Sequence, residues 1–131
     1  VVGLTDDGIA QTELVIPYEI DGKEITEITE NFSFSNCPSL LSLVIPNSVT
    51  KMTNAFSVCT ALKTVVLSEG ITSISASAFS DCTALTSIVM PDSLTHIGNS
   101  TFKNCTALCS INIPNGVTLI EAGAFYGCSF N

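Results

Sequence analysis

The sequence has little charge, and most of that charge is negative. Its 131 residues contain 12 Asp and Glu against four Lys and no Arg, so the formal net charge is −8. Proteins that bind nucleic acid or anionic membranes need clustered Lys or Arg to neutralise phosphate groups. The composition therefore argues against both partners.

The sequence also lacks long apolar runs and a targeting segment. No stretch approaches the roughly 18 apolar residues that a membrane helix requires. There is no signal peptide, and the chain begins at Val1 rather than Met, so we expect it to be a processed or trimmed part of a longer protein. We predict no insertion into a membrane.

Hydroxyl side chains take the place of the missing charges. The chain contains 16 Ser and 15 Thr, while hydrophobic residues make up 46% of it. That apolar share is too high for a disordered chain. Eight of the 12 acidic residues lie within residues 1–30, so the remainder is almost neutral. We therefore predict a folded domain whose surface is solvated mainly by hydroxyl and amide groups.

The cysteines reveal an internal repeat. When Cys109 is left out, the five others are spaced by 22, 23, 23 and 23 residues. These five residues are Cys37, Cys59, Cys82, Cys105 and Cys128. The repeats span residues 37–58, 59–81, 82–104 and 105–127, and residues 128–131 begin a further one. We expect that last repeat to be truncated and more repeats or another domain to follow.

Each repeat carries the same apolar pattern, L-x-x-I-x-L. Its first column is Leu40, Leu62, Leu85 and Leu108. A second apolar pair follows, and then a Phe three residues before the next Cys: Phe56, Phe79, Phe102 and Phe125. The pattern is the strand signature of leucine-rich repeats, in which stacked units bury a continuous core. It predicts a single domain over residues 1–131, built as a repeat solenoid of parallel strands.

A period of 22–23 residues is too short for a strand and a long helix. We therefore predict an α/β-type, right-handed solenoid with short helical turns around S-x-x-F and little α-helix. Residues 1–36 match the pattern only in part, and we predict an irregular N-terminal coil or cap there. Within it, Asp21-Gly22 is the signal of a tight turn.

The repeats resemble the BspA-type leucine-rich repeats over about residues 14–128. The shared form is C-x-x-L-x-x-I-x-I-P-x-x-V-T-x-I-x-x-x-A-F. The resemblance implies a curved solenoid of parallel strands. It also implies a secreted or cell-surface protein, with an extracellular location and a role in adhesion to host or matrix proteins. It supplies no catalytic residues and no cofactor. Departures from the form are Ser68 in place of Pro, one deleted residue in the first repeat, and Cys109.

The cysteine column has three interpretations. Its members are free thiols that act as small hydrophobic side chains, or some of them form disulfides, since stacked Cα atoms lie within disulfide range. A metal site at Cys105 and Cys109 is the third, and it lacks a second ligand pair. We favour free thiols, with Cys109 exposed because its register holds Lys63 and Thr86, and we predict no metal site.

The sequence carries no catalytic constellation. His96 is the only histidine, and its register holds Lys51, Ser73 and Leu119, so we expect it to be a solvated surface residue. No nucleophile elbow, phosphate loop or H-E-x-x-H motif occurs. We predict that the protein is not an enzyme and uses no cofactor.

The outward residues of the predicted strands are the candidate binding site. They form a column of valine and asparagine beside a column of hydroxyl residues, both without charge after Glu13. The candidate protein-binding face consists of Ser42, Val44, Thr64, Val66, Ser87, Val89, Ser110 and Asn112. The competing explanation is that Val and Thr simply favour strands.

A column of threonines provides a second repeated feature. It comprises Thr26, Thr50, Thr72, Thr95 and Thr118. Hydroxyl groups stacked in this way can form hydrogen bonds along the solenoid. Threonine arrays also occur in ice-binding solenoids, but the neighbouring column here is not uniform. We therefore favour the structural role.

Two functions remain open on the sequence. The first is an adhesion module that binds a host or extracellular-matrix protein along the strand face. The second is a structural spacer that displays another domain and has no ligand of its own; a targeting part of a larger enzyme is a weaker third. An uncapped C-terminal edge would also allow self-association.

Overall fold

Eleven short β-strands and no helix form the regular structure of residues 13–29 and 34–130, the part of the chain that the computed structural model describes. In chain order the strands are β1 (Glu13–Val15), β2 (Glu19–Ile20), β3 (Lys23–Glu24), β4 (Glu27–Ile28), β5 (Ser42–Val44), β6 (Lys51–Met52), β7 (Thr64–Val66), β8 (Ser73–Ile74), β9 (Ser87–Val89), β10 (His96–Ile97) and β11 (Leu119–Ile120). The predicted N-terminal coil lies partly outside the described residues, because these omit 1–12 and 30–33.

The strands form two parallel sheets that run along the solenoid. One sheet has the order β1-β5-β7-β9, and the other has the order β11-β10-β8-β6-β4. Strands pair in register with the repeat, so that Leu43 lies beside Val65 and Val65 beside Ile88. This arrangement confirms the predicted parallel solenoid.

Turns rather than helices form the third side of each coil. Ser80 N–H donates to Ser77 O at 3.2 Å, which closes a turn of the kind predicted around S-x-x-F. Ser77 and Asp81 have φ values of 58° and 59°. Since a left-handed residue cannot continue a right-handed helix, these positions limit the helical path to a single turn. The prediction of little α-helix is confirmed.

A stack of phenylalanine rings fills the core beside these turns. Neighbouring ring centroids lie 5.3–5.7 Å apart, with interplanar angles of 3–9°. The rings are those of Phe34, Phe56, Phe79, Phe102 and Phe125. Such centroid distances are typical of stacked aromatic pairs. One side chain per coil therefore builds a continuous apolar column, as the repeat predicts.

The tight turn predicted at Asp21-Gly22 joins the antiparallel hairpin of β2 and β3. Both turn residues have positive φ, 52° at Asp21 and 76° at Gly22. Two consecutive positive φ values match the twist of a two-residue hairpin turn. The irregular insertion in the N-terminal coil is therefore a short hairpin.

The fourth repeat departs from the sequence pattern. Its L-x-x-I-x-L segment predicts a strand, but residues 109–114 form none. Ile45 N–H donates to Val66 O and Leu67 N–H to Val89 O, whereas no hydrogen bond is found for Met90 N–H at the equivalent position. A polar slot of about 140 Å³ separates β9 from residues 110–112. The first sheet therefore ends at β9, while the second sheet continues to β11.

Candidate protein-binding face

The outward valines of β1, β5, β7 and β9 form one exposed row. Val15, Val44, Val66 and Val89 have exposed fractions of 66%, 39%, 43% and 55%. The middle residues of β5 and β7, Leu43 and Val65, are buried. Alternation along a strand places successive side chains on opposite faces of the sheet. The same strands thus build the core on one face and an aliphatic stripe on the other.

Hydroxyl side chains accompany the valines on this face. Ser42 pairs with Thr64, and Thr64 with Ser87, in the register of the sheet. Lys63 lies one residue before Thr64 and is exposed, and Leu41 occupies the same position in the preceding coil. The six outward-facing residues of β5, β7 and β9 carry no charge. We name this set of Ser42, Val44, Thr64, Val66, Ser87 and Val89 the valine face.

Two predicted face residues lie off the sheet. Ser110 and Asn112 are exposed, but they belong to the segment that does not pair with β9. They line the polar slot opposite Thr86 and Ser87. The structure therefore brings together six of the eight candidate residues, and it leaves Ser110 and Asn112 beside an unpaired strand edge.

All six cysteines lie in the described part of the chain, and all are free. The thiols of the repeated column are buried or half-buried, whereas Cys109 is exposed as predicted. Cys82 Sγ donates to Phe56 O at 3.2 Å, and Cys105 Sγ donates to Phe79 O at 3.2 Å. Burial raises the pKa of Cys59 to about 11 and that of Cys105 to about 12. These thiols are therefore protonated structural groups.

His96 is held by hydrogen bonds, although the equivalent position of other coils holds chemically different residues. Its Nε2 donates to Glu121 Oε1 at 2.9 Å, and its Nδ1 lies 3.4 Å from Ser73 Oγ. Glu121 Oε2 also accepts from the Asn99 backbone N–H at 2.8 Å. His96 is half-buried rather than fully solvated, and these bonds join three successive coils, which the sequence did not predict. Gly98 occupies the register of Glu121 in the preceding coil, and a Cβ there would lie 2.9 Å from backbone atoms of residues 74–76.

Ser73, His96 and Glu121 are arranged in the order of a Ser-His-carboxylate relay, but their geometry supports a structural role. A relay needs a hydroxyl in close hydrogen-bond contact with the histidine, and 3.4 Å is long for that contact. Ser73 lines neither the slot nor the cavity at the N-terminal end. Across residues 13–29 and 34–130, no cluster of three or more His, Cys, Asp or Glu side chains could hold a metal ion.

The threonine column forms hydrogen bonds along the solenoid, as predicted. Thr95 Oγ1 donates to Thr72 O at 3.0 Å, and Thr118 Oγ1 donates to Thr95 O at 3.4 Å. Thr50 Oγ1 makes the equivalent bond to Thr26 O at 3.3 Å. These three hydroxyls therefore support the backbone of the preceding coil, which is the structural role that we favoured.

A cavity of about 450 Å³ opens at the N-terminal end, and the sequence analysis did not anticipate it. Its apolar lining includes Ile16, Ile25 and Phe34, and the hairpin adds the charged residues Lys23 and Glu24. The cavity exists because the hairpin residues of this coil lie outside the regular stack. We assign no ligand to it.

A family model for the BspA type leucine rich repeat region matches residues 26–131 with six copies. The chain belongs to the BspA-type leucine-rich repeat family. Solved structures of bacterial members agree with this assignment. A leucine-rich repeat protein of T. pallidum is 34% identical, with a TM-score of 0.82, and the match covers 94% of this chain and 62% of that one.

A second BspA-like neighbour is described as a leucine-rich cell surface protein of Faecalibacterium prausnitzii. It is 32% identical, with a TM-score of 0.83 over 92% of this chain and 31% of that chain. A leucine-rich repeat protein of Bacteroides ovatus is 27% identical, with a TM-score of 0.64 over 89% and 35% of the two chains. No curated protein matches.

The chain spans less than two thirds of these solved relatives. Within the described residues, no helix has the length and apolarity to cross a membrane. The family fold is typically non-catalytic, and its repeats generally mediate protein interactions. The exposed face of the first sheet is therefore the candidate site for such an interaction.

Proposed function

We propose that this chain is a non-catalytic protein-binding module of a secreted or cell-surface protein, and that it binds a host or extracellular-matrix protein along the valine face. The observation that carries the proposal is the unbroken row of exposed valines on one sheet. Contiguous exposed aliphatic residues are characteristic of interaction surfaces. The description of the Faecalibacterium relative as a cell surface protein supports the location.

The chemistry of the face indicates what kind of contact it makes. Neighbouring strands lie about 4.8 Å apart, so the row formed by Val15 and the three valines of the valine face extends over roughly 14 Å. The row is flat and flanked by hydroxyl groups, and it contains none of the aromatic or Arg side chains that dominate strong hot spots. We expect a modest affinity for a neutral, apolar patch, which increases when several copies act together.

A pull-down from serum and from solubilised extracellular matrix tests this proposal. The variant Val66→Lys with Val89→Lys places two charges in the middle of the row. The matched control, Thr72→Lys with Thr95→Lys, adds the same charges at exposed positions next to the other sheet. Circular dichroism must first show that both variants fold.

We expect the wild type and the threonine variant to retain the same protein, and the valine variant to lose at least nine tenths of it. Equal retention by both variants would contradict the assignment of the face. If none of the three proteins retains a partner, the module does not bind these sources, and the structural spacer becomes the better explanation.

Self-association is a second interaction that one observation favours. The last described coil exposes the aliphatic side chains of Ile113, Leu119 and Ile120, and the last two form β11, the terminal strand of the second sheet. Two copies that cover these residues would double the mass measured by light scattering, and Ile120→Lys would restore the single mass. A single mass for the wild type at high concentration would contradict this interaction.

A further inference from the structure

An Asn-Gly pair, Asn115-Gly116, lies in an exposed turn of the fourth repeat. The turn is closed by a hydrogen bond from Val117 N–H to Pro114 O at 3.1 Å. Asparagine is a thermolabile residue, because the following backbone nitrogen can attack the carbonyl carbon of its side chain. Glycine at the following position favours this attack, since it has no Cβ to obstruct the approach. The pair therefore has the chemistry to lose the side-chain amide.

Neither of the two reacting groups is held by a hydrogen bond within residues 13–29 and 34–130. No such bond is found there for the Asn115 side chain or for the Gly116 N–H. In the second repeat, by contrast, the equivalent Gly70 N–H donates to Ser68 Oγ at 3.0 Å. Pro114 occupies the register of Ser68 and has no side-chain acceptor. The nitrogen of Gly116 therefore stays available for the reaction.

Asn47 occupies the same register in the first repeat, and its surroundings differ. Its Oδ1 accepts a hydrogen bond at 3.2 Å from the backbone N–H of Glu69 in the next coil. The bond ties the side chain to the neighbouring coil, so that cyclisation must break it. The residue that follows is Ser48, which is buried. The stack of coils thus protects Asn47, whereas Asn115 lacks this protection.

We propose that Asn115 deamidates spontaneously in the folded protein, and that this conversion loosens the fourth coil. Gly116 N bonds to Asn115 Cγ, the bond between Cγ and Nδ2 breaks, and the proton of the Gly116 N–H leaves with Nδ2 as ammonia. Water then opens the cyclic imide at either carbonyl carbon, which yields Asp or isoaspartate without any oxidation or reduction. The inference does not depend on the valine face.

The product changes the charge and the length of the turn. Glu69 and Asp92 occupy the register of residue 115 in the two preceding coils, and both are exposed. A new carboxylate in this column repels its neighbours, as like charges on adjacent strands do. Isoaspartate also adds a methylene group to the backbone before Thr118, whose N–H donates to Thr95 O at 2.9 Å. Both changes weaken the stacking of the fourth coil on the third.

The variant Ser48→Gly supplies a matched site within the same molecule. It makes residues 45–50 identical in sequence to residues 113–118, which read I-P-N-G-V-T. Glycine is compatible with this register, because Gly70 and Gly116 occupy it in other coils. The two sites then share their local sequence and differ in the bond from the next coil.

The experiment incubates the folded variant at mildly alkaline pH, with a parallel sample in guanidinium chloride. Trypsin cleaves after Lys51, Lys63 and Lys103 and thereby separates the two sites. Fragmentation mass spectrometry measures the acid formed at each site over time. The variant Asn115→Gln of the wild type is aged in the same way, because its longer side chain cyclises far more slowly.

We expect Asn115 to convert about tenfold faster than Asn47 in the folded variant, because Asn47 reacts only when its bond to the next coil opens. In guanidinium chloride the two rates should be equal, since the local sequences are identical. The proposal is overturned if Asn115 keeps its amide in the folded protein, or if Asn47 converts there as fast as Asn115 or faster.

Hydrogen exchange tests the loosening of the coil separately. The Thr118 amide should exchange faster in aged wild-type protein than in aged Asn115→Gln protein. Equal exchange in a sample whose Asn115 has been converted would overturn this second part of the proposal. Neither result affects the binding proposal, which is tested with fresh protein.

Discussion

At the scale of single residues, Val58 combines a β-branched side chain with a left-handed backbone. Its φ is 59°, and the equivalent positions of other coils hold residues that tolerate this conformation better. Those residues are Asn36, Asp81, Asn104 and Gly127. A left-handed conformation costs an ordinary residue roughly 1–2 kcal/mol, and Asn adopts it more readily. The first repeat therefore ends in a residue whose left-handed conformation is unfavourable.

We predict that Val58→Asn stabilises the protein by about 1 kcal/mol, because it removes most of that cost. The matched control is Val44→Asn, since Val44 is exposed to the same extent (39% against 38%) but lies in a strand. Urea unfolding of bacterially produced protein measures both variants. The control should lose stability, and a Val58→Asn variant no more stable than the wild type would contradict this account of the backbone.

The buried thiols predict a loss of stability at alkaline pH. A cysteine in the unfolded chain titrates near pH 9, whereas burial holds the pKa of Cys105 at about 12. Above pH 9 the unfolded state loses a proton that the folded state keeps, so the contribution of this thiol is complete below pH 9 and falls until about pH 12. The slope is up to about 1.4 kcal/mol per pH unit for one thiol.

Unfolding midpoints at pH 8, 9 and 10 test this dependence. Cys105→Ala should be less stable at pH 8 but show a shallower decline than the wild type. Cys109→Ala, which removes the exposed thiol, should keep the wild-type slope. Identical slopes for the wild type and Cys105→Ala would show that this thiol does not contribute.

At the scale of elements, the edge of β9 decides how the first sheet ends. The amide of Leu67 donates to Val89 O at 3.1 Å, while the equivalent amide of Met90 has no partner among the described residues. Amides without partners exchange with solvent faster than amides within a sheet. We therefore predict at least a hundredfold faster hydrogen exchange at Met90 than at Leu67, measured by NMR.

A matched comparison comes from the second sheet, where the fourth coil remains paired. Glu121 N–H donates to Ile97 O at 2.9 Å, so its amide should be protected although it belongs to the same coil as residues 110–112. If Met90 is as protected as Leu67, the strand of the fourth repeat pairs with β9 in solution, and the slot is closed.

The elements also show what the sequence can and cannot predict. The periodic columns identify Leu43, Val65 and Phe79 as buried residues, because stacking equivalent residues is the only way for such a unit to form a core. They do not predict whether the strand expected in the fourth repeat pairs with β9, since pairing depends on the neighbouring coil as well as on the pattern. The bond between His96 and Glu121 was missed because it joins two different columns.

At the scale of the whole molecule, the fold follows from the repeat, and the function depends on its exposed residues. The family assignment and the solved relatives confirm a BspA-type solenoid. Six of the candidate face residues could be placed from strand alternation alone, and the structure sets them on one sheet. The identity of a partner could not be inferred, because the valine face contains no charge or motif that is specific to one ligand.

The scarcity of charge also makes sense at this scale. Every coil repeats its surface along the sheet, so a charge in any column would lie about 4.8 Å from its copies and repel them. Hydroxyl groups such as those of Thr72 and Thr95 instead donate to the backbone of the preceding coil. A ladder of Ser and Thr thus allows the coils to stack without repulsion.

The most direct test of the central claim is methyl NMR of the valines during titration with the protein eluted from the wild-type pull-down. The account predicts that the methyl signals of Val44, Val66 and Val89 shift or broaden, while those of the buried Val49 and Val65 do not. Perturbation confined to other valines, such as Val58, would show that the partner binds elsewhere and would contradict the assignment of the valine face.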